Sequence, residues 1–138
     1  GEVFVAESGA NQVSQFDPTG DTAASTIPGF NDPQGIAYQL RGAGPVLYVA
    51  DRGSSQVIKL GTDGTLSPLN TAGNALAAPS DLAVDSQGRL YVLDGGNRQI
   101  LRFDAEDAFD RRIDLSDAAL KLPAPAGLSI TPDDRLLV

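Results

Sequence analysis

The sequence predicts an all-β chain built from repeated four-stranded antiparallel sheets, and three observations predict it. The first is an internal repeat: Val5-Ala6-Glu7-Ser8-Gly9-Ala10-Asn11-Gln12-Val13 aligns with Val49-Ala50-Asp51-Arg52-Gly53-Ser54-Ser55-Gln56-Val57 and with Val92-Leu93-Asp94-Gly95-Gly96-Asn97-Arg98-Gln99-Ile100. Gln12 precedes Gln56 by 44 positions, and Gln56 precedes Gln99 by 43. The second is another anchor in phase with the first: Pro33-Gln34-Gly35-Ile36-Ala37, Pro79-Ser80-Asp81-Leu82-Ala83 and Pro125-Ala126-Gly127-Leu128-Ser129, each 46 positions from the next. The third is the texture of the unit, which alternates apolar and polar residues with period two between Asp-x-x-Gly and Gly-Asn turns, the signature of hairpins rather than helices. A period of this length marks a propeller or solenoid, and four short strands per unit select the β-propeller blade.

Each element follows in order. The chain opens at residues 2–6 on the second strand of a blade. In the best preserved unit, residues 81–84 form a first strand, and Asp85-Ser86-Gln87-Gly88 turns into a second at 89–93. Asp94-Gly95-Gly96-Asn97 then turns into a third at 98–103. Asp, Asn and Gly suit these turns because they reach positive φ at low cost. Fourth strands are expected at 64–69 and 109–115. Pro68 fits an edge, where a missing ladder donor does little harm. The mixed charges of Asp110-Arg111-Arg112-Ile113-Asp114 discourage strand addition at such an edge. Residues 116–122, stopped by Pro123, read as a short helical turn, and the chain closes on a first strand at 127–130 and the start of a second at 135–138. Residues 1–138 therefore form one propeller segment with blade boundaries near 1–32, 33–78, 79–124 and 125–138. Six blades of this length need about 260 residues, so the segment is an arc of about three blades. It is either part of a six-bladed propeller or closed by assembly, and the larger propeller is preferred, because the final and initial strands compete for one position.

The unit Pro-x-Gly-Leu-Ala-Val-Asp, x-x-Gly-x-Leu-Tyr-Val-x-Asp, x-Gly-Asn-x-x-Ile, x-x-Phe-Asp resembles the NHL repeat, best over residues 80–104. The resemblance implies the propeller fold. It leaves function open, because similar blades occur in six-bladed gluconolactonase-like, strictosidine-synthase-like and amidating-lyase proteins.

Composition removes several functions. The 138 residues carry a net charge of -8, with ten Lys+Arg against eighteen Asp+Glu, the wrong sign for duplex nucleic acid or anionic membranes. There is no His, Cys or Met, which excludes cysteine nucleophiles, disulfides, histidine-based triads and the usual zinc, haem and copper ligand sets within these residues. No apolar run approaches the ~20 residues of a membrane span. Gly1 leads into strand-like sequence without a signal peptide, as expected of a mature chain or of a piece of a longer one. The acidic composition points to an extracellular or periplasmic location.

Two sets of residues are candidates for a site. Glu7, Asp51 and Asp94 recur at the end of the second strand, where three equivalent carboxylates could ring an axial calcium ion. The preferred reading is structural, an acidic side chain accepting backbone N–H bonds from its own turn. Asn31, Asp32 and Asn74 lie in connections into the first strand, and Arg52, Asn97 and Arg98 lie in loops between the second and third. In a propeller these loops share one face, a plausible ligand groove, because loops on a rigid scaffold carry specificity. The expected function is a non-catalytic scaffold for protein or small-ligand binding, whose terminal blade faces are covered by the rest of a longer chain or by further copies. The alternatives are part of a gluconolactonase-like or lyase-like enzyme with an axial divalent ion, and a self-assembling extracellular filament or surface subunit.

Overall fold

The structure is a computed structural model that describes residues 2–19, 25–117 and 124–138. Two complete four-stranded antiparallel sheets occupy its middle. One runs in the order β4 (Pro33–Arg41), β5 (Gly44–Asp51), β6 (Gln56–Leu60), β7 (Leu66–Pro68). The next repeats it as β8 (Pro79–Val84), β9 (Leu90–Asp94), β10 (Gln99–Phe103), β11 (Phe109–Asp114). Before them β1 (Val3–Glu7), β2 (Gln12–Phe16) and β3 (Ser25–Pro28) make a three-stranded sheet, and after them β12 (Ser129–Ile130) and β13 (Leu136–Leu137) make a short hairpin. The all-β arc of antiparallel blades is thus the observed fold. Pro68 ends the outermost strand of its sheet, opposite Ile58. The helical turn expected over 116–122 falls mostly on 118–123, outside the described residues.

Alternation places the core. Consecutive residues of the second strand point to opposite faces, and each of those faces is covered by a neighbouring sheet. Val46, Tyr48 and Ala50 of β5 pack with Leu82, Leu90, Val92, Leu101 and Phe103 of the next sheet. Leu47 and Val49 turn the other way, to Val13, Phe30 and the flanking Phe4. One blade later, Tyr91 and Leu93 join Ile100, Leu115 and Leu128. This two-sided burial makes the second strands Val46–Ala50 and Leu90–Leu93 unbroken apolar runs, in place of the period-two alternation expected across the unit.

The first strands lie beside one another at the inner edge. Each opens on a proline, Pro33 opposite Asp51 and Pro79 opposite Asp94, and each shifts register by one residue directly afterwards. A proline supplies no ladder donor, and a bulge there lets pairing resume. Where the other two repeats carry Gly35 and Gly127, β8 carries Asp81, whose carboxylate accepts the N–H of Leu82 at 2.9 Å and that of Leu128 at 2.8 Å. Gly35 is required by this approach, since a Cβ there would sit 2.8 Å from Asp81 Cα and 3.1 Å from Ser80 O. A Cβ on Gly127 would meet only Asp81 Oδ2, at an ordinary 3.7 Å. Gly35→Ala is therefore expected to lower stability by about 2 kcal/mol, the cost of overpacking against backbone. Gly127→Ala should stay within about 0.5 kcal/mol of the parent. Urea titrations of the two variants check the contrast.

Candidate functional site

The second strand of each unit ends in an acidic residue, a tight loop follows, and the third strand starts on Gln12, Gln56 or Gln99. The left-handed residue of each loop is the one just before that glutamine: Asn11 at φ 53°, Ser55 at φ 56° and Arg98 at φ 49°. The Gly-Asn pair of the third unit is therefore not where the chain takes positive φ. Asn97 serves through its side chain instead, its Nδ2 donating to Asp94 Oδ2 at 2.9 Å and to Ala75 O at 3.0 Å.

Asp94 is fully buried and grips the connector that enters its blade. Its oxygens accept the N–H of Ala77 at 3.1 Å and of Ala78 at 2.9 Å, together with Gln99 Nε2 at 3.0 Å and Asn97 Nδ2. Asp51 repeats the device, accepting the N–H of Asn31 at 2.8 Å and Ser54 Oγ at 2.6 Å. Asn31 and Ala77 stand two residues ahead of Pro33 and Pro79, so the two contacts are equivalent. Glycines make room for them: a Cβ on Gly96 would strike Ala77 Cβ, and one on Gly53 would strike Asn31 O. Glu7 holds Gln12 Nε2 at 3.3 Å and Ser14 Oγ.

Burial pushes the Asp94 carboxyl up, but the bonds from Ala78, Gln99, Ala77 and Asn97 outweigh it and hold the group below the usual carboxylate range. Asp107 behaves alike, burial opposed by Lys59, Tyr48 and Arg41. Carboxylates depressed in the folded state stabilise it above their unfolded pKa of about 4, and that contribution disappears as pH falls through the folded values. The thermal midpoint is accordingly expected to be flat from about pH 7 to pH 5 and to fall below about pH 4. Asp94→Asn should flatten that acid limb in scanning calorimetry.

Glu7, Asp51 and Asp94 sit on three different sheets; the oxygens of Asp51 and Asp94 are turned to their own loops and connectors, and those of Glu7 to Gln12 and Ser14 of β2. Among the described residues no three acidic side chains are grouped to hold a metal.

The loop residues separate into two groups. Asn31, Asp32 and Arg52 meet through backbone: Gly53 N–H donates to Asn31 O at 2.7 Å and Arg52 N–H to Asp32 O at 3.2 Å. Asp32 N–H is held by Asn11 Oδ1 at 2.8 Å, and Asp32 Oδ1 accepts Gln34 Nε2 at 2.6 Å. The second group lies around a cleft. Asn74 and Asn97 line a polar cleft of about 360 Å³ with Gly73, Ala75, Gln99 and Arg112. Arg98 supports the same loop, its carbonyl accepting Leu115 N–H at 2.8 Å. Gln99 and Arg112 were not singled out from sequence. The recurrence of Gln at the head of every third strand is the signal for the first. Arg112 reads only as edge-strand charge until the fold carries it to the cleft, where its ion pair with Asp114 is long at 3.5 Å with both side chains about half exposed (53% and 55%).

The NHL repeat profile matches residues 76–103, the unit that holds Asp94, Asn97 and Gln99. No curated protein matches the sequence. Among solved structures the chain is similar to streptogramin B lyase, with 22% identity and a TM-score of 0.78 over 99% of this chain and 43% of that one. It is also similar to a catalytically inactive histidine-to-alanine form of virginiamycin B lyase from Staphylococcus aureus with quinupristin (18%, TM-score 0.73, 99% and 44%). A third likeness is to the nidogen/laminin complex (20%, TM-score 0.74, 94% and 48%). The chain thus spans less than half the length of each of these proteins. At these identities the likeness shows the β-propeller fold.

Proposed function

We propose that this chain is a segment of a β-propeller scaffold that binds a ligand on its loop face without transforming it. The observation that supports this reading is the polar cleft of Asn74, Asn97, Gln99 and Arg112. Amides and a cation are grouped there at an opening, while the neighbouring Asp94 is wholly occupied in holding the backbone of Ala77 and Ala78 and the side-chain amides of Asn97 and Gln99. A rigid scaffold with adaptable loop side chains is how such folds carry recognition, and a propeller seen in a nidogen/laminin complex is a protein-binding precedent. The acidic composition agrees with a location outside the cytoplasm. The terminal faces belong to further blades, supplied by a longer chain or by copies.

The lyase likeness supports a second reading, part of an enzyme. The chain covers only 44% of the lyase form that a histidine replacement inactivates, so this reading places part of the catalytic machinery in further blades. Backbone amide spectra recorded with millimolar small carboxylates, amides and sugars test the scaffold reading. Shifts should concentrate at Asn74, Asn97, Gln99 and Arg112 and vanish in Arg112→Ala. Consumption of quinupristin by the chain, or a calcium-dependent rise in thermal midpoint, would establish the second reading instead.

A further inference from the structure

The three amides of the polar cleft are oriented by partners that can only accept. Asn97 Nδ2 donates to Ala75 O at 3.0 Å and to Asp94 Oδ2 at 2.9 Å, and Gln99 Nε2 donates to the same two oxygens at 3.2 Å and 3.0 Å. Asn74 Nδ2 donates to Thr71 O at 2.9 Å. A backbone carbonyl and an ionised carboxylate offer no proton, so each amide must turn its nitrogen toward them. Asn97 and Gln99 spend both N–H bonds in this way, and a carbonyl oxygen is what each has left to offer. Among the described residues no donor reaches Asn74 Oδ1, Asn97 Oδ1 or Gln99 Oε1. Gln99 is only 4% exposed, yet its oxygen is not a buried atom without a partner, so the exposure it keeps is toward the cleft it lines.

The opposite character comes from β11. Arg112 is the cation of the cleft, and its lining holds no acidic side chain and no aromatic ring, an exception in a chain of net charge -8. Asp114 competes weakly for that cation, because its Oδ1 already accepts Ser116 N–H at 2.8 Å and Ser116 Oγ at 2.5 Å while its Oδ2 stands 3.5 Å from Arg112. The guanidinium therefore keeps N–H groups for a second carboxylate, which it can meet with two parallel bonds. This combination is not a folding requirement of the blade. The same places in the other complete sheet hold Ser54, an exposed Gln56 and Pro68, since Ile58 pairs with Pro68 as Leu101 pairs with Arg112. The acid beneath recurs, as Asp51 and Asp94, but the amide and the cation above it do not.

We propose that the cleft takes a single hydroxylated ring acid, a sugar carboxylate of the uronate type, with its carboxylate on Arg112 and its hydroxyls donating to the oxygens of Asn74, Asn97 and Gln99. This names the ligand class of the scaffold reading and rests on it. Neutral carbonyl acceptors call for neutral donors. An ammonium ligand would call for a free carboxylate or an aromatic face, and the lining has neither. Asp94 polarises the two amides that donate to it, which strengthens their oxygens as acceptors. The cleft's volume of about 360 Å³ lies at the lower end of the about 300–1,000 Å³ typical of small-molecule sites, a size suited to one ring.

Three ligands of equal ring size separate the determinants: glucuronate carries hydroxyls and charge, glucose the hydroxyls alone, and cyclohexanecarboxylate the charge alone. In titrations followed by the backbone amide signals of the cleft, glucuronate should bind at least about tenfold more tightly than either of the others, one charge-assisted bond being worth about that factor. Arg112→Ala should abolish the glucuronate shifts. Asn97→Ser is a mild change, because a serine there can donate to Asp94 as Ser54 does to Asp51; it should weaken glucuronate severalfold and leave cyclohexanecarboxylate unaffected. Glucose binding as tightly as glucuronate, or glucuronate shifts that survive Arg112→Ala, would overturn the acid while leaving a binding cleft. Cyclohexanecarboxylate binding as tightly as glucuronate would overturn the role of the amide oxygens. Silence of the cleft signals toward all three ligands overturns this proposal alone, and silence toward small amides as well overturns the scaffold reading with it.

Discussion

Replacing Asp94 with alanine is expected to cost about 4 kcal/mol of folding free energy, within the range for removing one partner of a buried charged network. The reason is what remains behind. Ala77 and Ala78 lose the acceptor of their N–H groups, and the side chains of Asn97 and Gln99 lose one of theirs, although both still reach Ala75 O. Each buried donor left unmade costs about 1–3 kcal/mol. Asp51→Ala is the internal control: with one backbone donor, Asn31, and the Ser54 hydroxyl, it should cost about half as much by the same arithmetic. Asp94→Asn keeps an acceptor but not the charge, and belongs between the parent and the alanine variant. Chemical denaturation of the three variants measures the ranking. Equal losses for Asp51→Ala and Asp94→Ala would mean that connector capture is not what these carboxylates do. A gain in stability for either would mean that the buried charge is a liability retained for another purpose.

The fold was legible in the sequence because a propeller writes its rule repeatedly. Two anchors in phase define the strands, and residues that must be small, such as Gly35 against Asp81 and Gly96 against Ala77, recur at fixed offsets. The acid at the end of the second strand was visible for the same reason, and its repetition argued for a role in folding before any contact was known. What repetition could not show is chemistry made between units by residues that do not recur. Asp81 interrupts a glycine series, and its bridge to Leu128 spans 47 positions. Arg112 reads as ordinary edge-strand charge and reaches the cleft only through the fold. In the last loop Gly95 and Gly96 invite positive φ, yet the backbone takes it at Arg98, because Gly96 is needed where Ala77 crosses.

The contact furthest from sequence reasoning is also the one with the second largest expected effect. Asp107 lies in the turn between β10 and β11 at φ 70°, and its carboxylate faces three residues of the preceding sheet. Arg41 approaches with Nη2 at 2.6 Å and Nη1 at 3.3 Å, Lys59 with Nζ at 2.6 Å, and the Tyr48 hydroxyl donates at 2.5 Å. Burial, then the bond and charge of Asp107, drive the Tyr48 hydroxyl far above its ordinary pKa, so it is a donor at every pH the protein meets. Asp107→Ala leaves two cations without their shared counter-ion and a buried hydroxyl with only a long 3.4 Å bond to Gln39 Oε1. A loss of about 3 kcal/mol is expected, charge-assisted bonds being worth about twice neutral ones. Because the cations are about a quarter exposed, water takes back part of the cost, which sets Asp107 below Asp94. Tyr48→Phe alone should cost about 1 kcal/mol. Combined with Asp107→Ala it should add almost nothing, since both remove the same bond. Strict additivity in that cycle would show that the two blades are held together by their apolar faces alone, with the polar cluster merely adjacent. Strong coupling would make Asp107 the point at which one blade fixes the angle of the next, and that angle decides whether an arc of three blades closes into a ring.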